Sequence, residues 1–121
     1  MTNNKTLKRE YLETKTRAGV YAIRNQITGR VFVAGSTNVQ GALNRHQFEL
    51  RSGHHRNARL AQDWREHGES NFQFDILDLV KPSEDPTFNV AQELAMLVSL
   101  WRQEIPCQDE LGYDKLRSEP R

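Results

Sequence analysis

The strongest constraint on the fold is a pair of β-rich runs in the first third of the chain. Residues 19–23 (GVYAI) and 31–34 (VFVA) are rich in β-branched and aromatic side chains, and the loop between them ends in Gly29. Such residues favour strands, and a short glycine-containing loop is typical of the turn between two antiparallel strands. The sequence therefore predicts a β-hairpin at this point.

Two helices are predicted to follow the hairpin. Asn38 can cap a helix over about residues 39–52, where apolar residues recur at spacings of three and four before Gly53 ends the pattern. Basic residues of this segment lie beside its apolar stripe. A second helix is predicted from residue 57 to residue 67, with Gly68 at its end.

A third strand and a third helix complete the predicted order of elements. Phe72, Phe74 and Ile76 alternate with polar residues, which predicts a strand with one buried face. Asn89, with Gln92 three residues later, is a variant of the capping box and opens an apolar helix. The predicted order is therefore β-β-α-α-β-α, in a small α/β (α+β) domain.

Length and composition bound the organisation of the chain. With 121 residues, 36% of them hydrophobic and 27% charged, the chain has enough apolar material for one core and enough charge for a polar surface. We predict a polar arm or short helix at residues 1–17, a folded domain at 18–114 and a charged tail at 115–121.

Nothing in the sequence predicts secretion or contact with a membrane. No apolar run approaches the roughly 18 residues that span a bilayer, and residues 1–5 lack the apolar segment of a secretory signal. The single cysteine, Cys107, cannot form an internal disulfide, which agrees with a reducing compartment. We therefore expect a cytoplasmic protein without a membrane partner.

The net charge of +1 conceals an uneven distribution of charged residues. Residues 1–67 contain 12 Lys or Arg and 5 Asp or Glu, whereas residues 68–121 contain 5 and 11. All four histidines also lie in the first of these segments. A polyanion such as nucleic acid would therefore contact mainly the first segment, although charge alone is equally compatible with a dipolar surface that binds nothing.

Seven short motifs resemble, in order and spacing, those of the GIY-YIG nuclease superfamily. They are GVY at 19–21, FVA at 32–34, GSTN at 35–38, NRH at 44–46, GHHRN at 53–57, LAQDW at 60–64 and GESNFQF at 68–74. The resemblance covers residues 18–80 well and the rest loosely, including GYD at 112–114, where the family often has GYN. It implies a small three-stranded antiparallel sheet flanked by helices. It also implies metal-dependent hydrolysis of phosphodiesters, usually in DNA.

The resemblance implies roles for four side chains, and we assign a fifth role to Arg45, in place of an arginine that the family pattern puts at another position. Tyr21 would act as general base or proton relay for the attacking water, supported by His46 and His55. Arg45 would stabilise negative charge on the phosphate. Glu93, early in the last helix, would hold one Mg²⁺ or Mn²⁺ ion, because a hard cation prefers carboxylate oxygen.

Other metal sites receive less support from the sequence. Glu84 and Glu104 are weaker alternatives to Glu93 as the ligand of the ion. No His-x-Glu-x-x-His segment or similar spacing is present, so a zinc site built from histidines is not expected.

Three positions depart from the family pattern. Phe32 keeps the ring of the second-motif tyrosine and lacks its hydroxyl, so the hydrogen bond of that hydroxyl is lost. Ala34 replaces a glycine, which removes the freedom to adopt a positive φ. Ala42 stands where family spacing places the catalytic arginine. The absence of that arginine is expected to lower the rate of cleavage by on the order of a hundredfold or more. We predict that Arg45, three residues further on nearly the same helical face, reaches the phosphate instead.

Further contacts with phosphate or DNA are expected from basic and small polar residues of the same region. These residues are Arg30, Ser36, Asn38, Arg51 and Arg56. DNA is the expected partner, and RNA stays open beside it, because phosphate contacts alone do not distinguish the two sugars. The oligomeric state does not follow from the sequence.

The sequence thus predicts a metal-dependent DNA endonuclease of the GIY-YIG type, with activity weakened by the altered positions. The alternative is a nucleic-acid-binding module that keeps the fold and the basic face and has lost hydrolysis. A protein-interaction domain that uses the acidic second segment is a third interpretation, for which the sequence offers no positive feature.

Overall fold

A computed structural model of the protein describes residues 17–107 and 112–113. The predicted arm, apart from its last residue, lies outside the described residues, as do Asp114 and the predicted tail at 115–121. The helices within the described ranges are all too short or too polar to span a lipid bilayer.

The first two strands form the predicted hairpin. β1 (Gly19–Asn25) and β2 (Val31–Ser36) pair antiparallel. The backbone N–H of Gly29 donates to the carbonyl of Asn25 at 2.8 Å and closes the turn. Gly29 has a φ of 81°, a left-handed conformation that favours glycine. The residue that indicated a turn in the sequence therefore also shapes it.

The third strand, β3 (Phe72–Leu79), pairs antiparallel with β1, so that the strand order is β2-β1-β3. The register of this pairing shifts beside the pair of Tyr21 and Ile76. Such a bulge changes which side chains point to each face of the sheet. The prediction that Ile76 is buried is wrong: it is 37% exposed, and Leu79 instead packs against the cluster that contains Tyr21.

Three helices complete the predicted order of elements: α1 (Val39–Ser52), α2 (Ala58–His67) and α3 (Val90–Glu104). Each is preceded by an asparagine whose side-chain oxygen accepts a hydrogen bond from a backbone N–H of the first turn. The three capping residues are Asn38, Asn57 and Asn89. The predicted bounds of the first two helices are confirmed to within one residue, because the capping and stop signals are local.

The sheet separates two layers of helices. On one face Tyr21 packs with Val39 and Leu43, so α1 covers this face. On the opposite face Val20 belongs to a cluster against which Leu97 of α3 packs. Since alternate strand residues point to opposite faces of the sheet, Tyr21 contacts the layer that contains α1 and Val20 contacts the layer that contains α3. The predicted α+β fold, a three-stranded antiparallel sheet flanked by helices, is confirmed.

The close approach of α3 to β2 depends on Gly35. A β-carbon at this position would lie 2.5 Å from a methyl carbon of Val98 and 3.0 Å from one of Leu94. The first distance is far below van der Waals contact, so a larger residue would have to push α3 away from the sheet.

A buried polar network joins the hairpin to α2 and to residues near the C-terminus. The carboxylate of Asp63 accepts hydrogen bonds from the Tyr113 hydroxyl at 2.7 Å, the Arg30 guanidinium at 2.8 Å and the Asn25 amide at 3.3 Å. Burial alone would raise the pKa of Asp63, but these donors outweigh it and the pKa lies below its ordinary value. Asp63 therefore stays ionised and holds the three elements together.

Candidate active site

A cleft of about 560 Å³ opens on the α1 face of the sheet. Five predicted site residues line it: Tyr21, Arg45, His46, His55 and Arg56. β1 supplies the tyrosine, α1 supplies Arg45 and His46, and the segment between α1 and α2 supplies the other two. The fold thus brings together residues that are up to 35 positions apart in the chain.

The side chains of Tyr21, His46 and His55 form a continuous hydrogen-bonded chain. Oη of Tyr21 lies 2.7 Å from Nε2 of His46, and Nδ1 of His46 lies 2.7 Å from Nε2 of His55. The chain ends at the backbone N–H of Asn57, which donates to Nδ1 of His55 at 3.0 Å. Each ring nitrogen of both histidines is therefore engaged in a hydrogen bond.

Burial keeps this chain uncharged at neutral pH. It raises the pKa of Tyr21 to about 12, against the opposing effect of the Arg45 charge. It also lowers the pKa of His46 to about 4, in the same direction as the effects of His55 and Arg45. The pKa of His55 lies below its ordinary value as well, mainly because of burial. The free protein therefore has a neutral tyrosine and two neutral imidazoles here.

The ring of Phe32 forms part of the cleft wall. It meets the ring of His46 edge-on, with centroids 5.2 Å apart, and its centroid lies 6.4 Å from that of Tyr21. The ring thus packs beside the hydrogen-bonded chain, at the position where the motifs place a second tyrosine. It offers no hydroxyl to a substrate.

Ala42, at the position of the family arginine, lies in the apolar cluster with Tyr21 and is only 4% exposed. Arg45 is exposed and lines the cleft, and its charge acts on Tyr21, His46 and His55. If Arg45 is to contact the phosphate in place of the missing arginine, its side chain must be accessible in the cleft, and it is. The catalytic role of Arg45 itself stays a prediction.

Glu49 is a cleft residue that no sequence motif indicated. Ligand atoms of His46, Glu49 and His55 lie within 4.8 Å of one another, so three potential metal ligands meet where no histidine-built site was expected. One signal was present, because His46 and Glu49 are three apart on one helix and therefore share a face. The third member comes from a loop whose path the sequence does not reveal.

Glu93, the predicted metal ligand, lies in the first turn of α3 and is half-buried. α3 packs on the face of the sheet opposite to α1, and Glu93 is not among the residues that line the cleft. The two alternatives, Glu84 and Glu104, are exposed and do not line the cleft either. The carboxylate within the cleft is that of Glu49.

Two arginines predicted to contact DNA have partners within the protein. Arg30 forms an ion pair with the buried Asp63 at 2.8 Å, and Arg51 forms one with Glu69 on the surface. Arg56, by contrast, is exposed and lines the cleft. Of these three arginines, Arg56 is therefore the one placed to contact a ligand in the cleft.

Ser36 and Asn38, the two small polar residues predicted to contact DNA, organise the start of α1. The Ser36 hydroxyl donates to the carbonyl of Asn38 at 3.0 Å and accepts from its N–H at 3.0 Å. The Asn38 side chain accepts from the N–H of Gly41 at 3.0 Å. The two side chains thus form a local helix start, and neither lines the cleft.

Comparison with known proteins identifies the fold. No model of a known protein family matches the sequence, and no curated protein matches it. Among solved structures, the chain is similar to the catalytic domain of the homing endonuclease I-TevI, with 23% sequence identity, coverage of 81% of this chain and 97% of that chain, and a TM-score of 0.64. A point mutant of the catalytic domain of the intron endonuclease I-TevI matches with 21% identity, coverage of 81% and 92%, and a TM-score of 0.64. The chain therefore has the GIY-YIG-like fold that its motifs predicted.

Proposed function

We propose that this protein is a divalent-metal-dependent DNA endonuclease that hydrolyses phosphodiester bonds. The observation that carries the proposal is the hydrogen-bonded chain of Tyr21, His46 and His55 in a cleft that two arginines also line. The similarity to two structures of one catalytic domain, whose names state endonuclease activity, supports it.

Arg45 and Arg56 are the proposed contacts to the substrate phosphate. Both are exposed in the cleft, and neither forms an ion pair within residues 17–107 and 112–113. A guanidinium presents its N–H groups as a fork that matches two phosphate oxygens. A phosphate held by these arginines would lie beside Tyr21, where the attacking water must be activated.

Ionised Tyr21, formed by loss of its hydroxyl proton to solvent, is the proposed acceptor of the proton from that water. Since its pKa is about 12, only a small fraction of the hydroxyl is ionised at neutral pH. The positive charge of Arg45 favours the ionised form, and so does any cation bound nearby. A general base of this kind typically contributes a factor of roughly 10² to 10⁴ in rate.

The carboxylate that lines the cleft has the chemistry that a hard divalent cation prefers. Mg²⁺ or Mn²⁺ binds to one or two carboxylates and completes its shell with waters and substrate phosphate oxygens. Glu49 supplies such a carboxylate from the cleft wall, and Glu93 on α3 remains the ligand proposed from the family pattern. When bound, the ion would neutralise phosphate charge and make a nearby water more acidic.

A second function is favoured by the altered positions. Phe32 brings no hydroxyl to the cleft, and Ala42 is buried where the family pattern places an arginine. Each loss removes transition-state stabilisation and leaves the exposed arginines intact. A nucleic-acid-binding module without hydrolysis is therefore the alternative, and its affinity would fall steeply with salt.

The test is incubation of the purified protein with labelled single- and double-stranded DNA, with Mg²⁺, with Mn²⁺ or with a chelator. The variants Glu93→Gln and Glu49→Gln identify the carboxylate that holds the ion, and Glu84→Gln is the matched control in an exposed loop. The proposal predicts metal-dependent cleavage that Glu84→Gln retains and at least one of the other two variants loses.

Two other outcomes decide against the proposal in different ways. Salt-sensitive binding without cleavage under any metal condition would favour the binding module. Cleavage that continues unchanged in chelator would contradict the dependence on metal and point to a contaminating or different nuclease activity.

A further inference from the structure

We propose that the backbone N–H of Asn57 fixes the tautomers of His46 and His55. As a consequence, His46 donates a hydrogen bond to Tyr21, and the two histidines do not bind a metal ion together. The proposal rests on the proposed function only for its catalytic consequence. The tautomers themselves follow from the contacts of four groups.

The contact with Asn57 fixes the tautomer of His55. The Asn57 N–H donates to Nδ1 of His55 at 3.0 Å, so this nitrogen must present a lone pair. A neutral imidazole carries one N–H, which is then on Nε2. Nε2 of His55 lies 2.7 Å from Nδ1 of His46 and therefore donates to it.

The hydrogen bond from His55 fixes the tautomer of His46 in turn. Its Nδ1 accepts from His55, so its own proton is on Nε2. That nitrogen lies 2.7 Å from Oη of Tyr21, and it therefore donates to the tyrosine oxygen. The hydroxyl hydrogen of Tyr21 must point away from His46.

The direction of this hydrogen bond decides what His46 can do. Without a lone pair on Nε2, His46 cannot accept the hydroxyl proton of Tyr21. It can stabilise the ionised tyrosine, because a hydrogen bond to a charged acceptor is stronger than one to a neutral acceptor. His46 and His55 are thus positioning residues for the phenolate of Tyr21, and Asn57 orients both.

The same tautomers exclude a cation from the His46–Glu49–His55 group. A metal bound to Nε2 of His55 needs a lone pair there, which would place the ring proton on Nδ1, against the Asn57 N–H. Two nitrogens that share a proton at 2.7 Å also cannot bind one ion with both lone pairs. Glu49 remains free to act as a carboxylate on its own.

The experiment is a long-range ¹H–¹⁵N spectrum of the full chain labelled at histidine, recorded at pH 7.5 without metal. The variants His46→Gln and His55→Gln assign the two rings among the four histidines. We expect both rings to be neutral with the proton on Nε2. A proton on Nδ1 of either ring, or a charged ring, would overturn the proposal.

A pair of variants tests the role of Asn57. Asn57→Pro removes the N–H, and the φ of −82° at this position suits proline. Asn57→Ala is the matched control, because both variants lose the side-chain cap of α2 and only Ala keeps the N–H. We expect the tautomers to be unchanged in Asn57→Ala and mixed in Asn57→Pro. A tautomer change in Asn57→Ala would overturn the proposal even if Asn57→Pro fails to fold.

Metal binding and cleavage give two further readouts. Zn²⁺ affinity, measured by titration, should be the same in the wild-type protein and in His55→Gln. A lower Zn²⁺ affinity in His55→Gln would contradict the exclusion of metal from the two histidines. Cleavage by Asn57→Pro should fall about tenfold relative to Asn57→Ala. A protein with the expected tautomers that does not cleave DNA would refute the proposed function and leave the tautomer assignment standing.

Discussion

Oη of Tyr21 lies 2.7 Å from Nε2 of His46, although the two residues are 25 positions apart and belong to a strand and a helix. Both residues are buried, at 3% and 8% exposure, on the sheet face that α1 covers. A buried polar pair of this kind is costly unless its hydrogen bonds are satisfied, and here His55 and the Asn57 N–H extend the chain. The tyrosine is thus held by a fixed polar support beside an open cleft.

Arg45 should matter for DNA in a way that a neighbouring arginine on the same helix does not. Replacement by Ala removes a charge-assisted contact to phosphate, and we expect DNA affinity to fall on the order of tenfold, with the slope of log affinity against log salt reduced by about one unit. The control is Arg51→Ala, since Arg51 is paired with Glu69. Equal losses for both variants, measured by fluorescence anisotropy, would contradict the assignment.

Stability should depend on pH through His46. Its pKa falls from 6.5 in the unfolded chain to about 4 in the folded one, so protonation favours unfolding. The free energy of unfolding should be steady above pH 6.5, fall as the pH drops toward 4 and lose at most about 3 kcal/mol from this group. Urea unfolding from pH 4 to 8 measures the slope, which His46→Gln should reduce. An unchanged slope in that variant would show that other groups dominate.

Asp63 should stabilise the fold without taking part in DNA cleavage directly. Its side chain is 6% exposed and accepts from Arg30 and Tyr113. Asp63→Ala leaves these donors unpaired, so we expect a loss of about 3 kcal/mol in the free energy of unfolding. Asp63→Asn keeps the shape and should lose less. Because folding lowers the pKa of Asp63, its ionised form stabilises the fold above the ordinary pKa of an aspartate. This stabilisation is lost as the pH falls from that value through the lower pKa of the folded state. A loss below about 1 kcal/mol for Asp63→Ala would argue against the network.

The sequence predicted those parts of the fold that local signals encode. Caps such as Asn38 and stops such as Gly53 act within a few residues, so the bounds of α1 were predictable. The exposure of Ile76 was not, because it depends on how β3 pairs with β1. The same distinction applies to the site, where the motifs supplied Tyr21 and the histidines.

The missed parts of the site depend on tertiary contacts. Glu49 is a candidate site residue because the fold brings ligand atoms of Glu49 and the loop residue His55 within 4.8 Å of each other. Asn57 contributes a backbone N–H, which no side-chain pattern can indicate. In the same way, a basic residue in the sequence does not reveal its partner. Arg30 was expected at the DNA and is found in an ion pair with Asp63.

The most direct test of the account is single-turnover cleavage of labelled DNA by the wild-type protein and Tyr21→Phe, in Mg²⁺ or Mn²⁺ between pH 6 and 9. Tyr113→Phe is the control, because it also removes a buried tyrosine hydroxyl from a hydrogen bond, outside the cleft. We predict a wild-type rate that rises with pH as more of Tyr21 ionises, a loss of at least roughly a hundredfold in Tyr21→Phe, and little change in Tyr113→Phe. Wild-type cleavage that Tyr21→Phe retains in full would contradict the central role of this tyrosine.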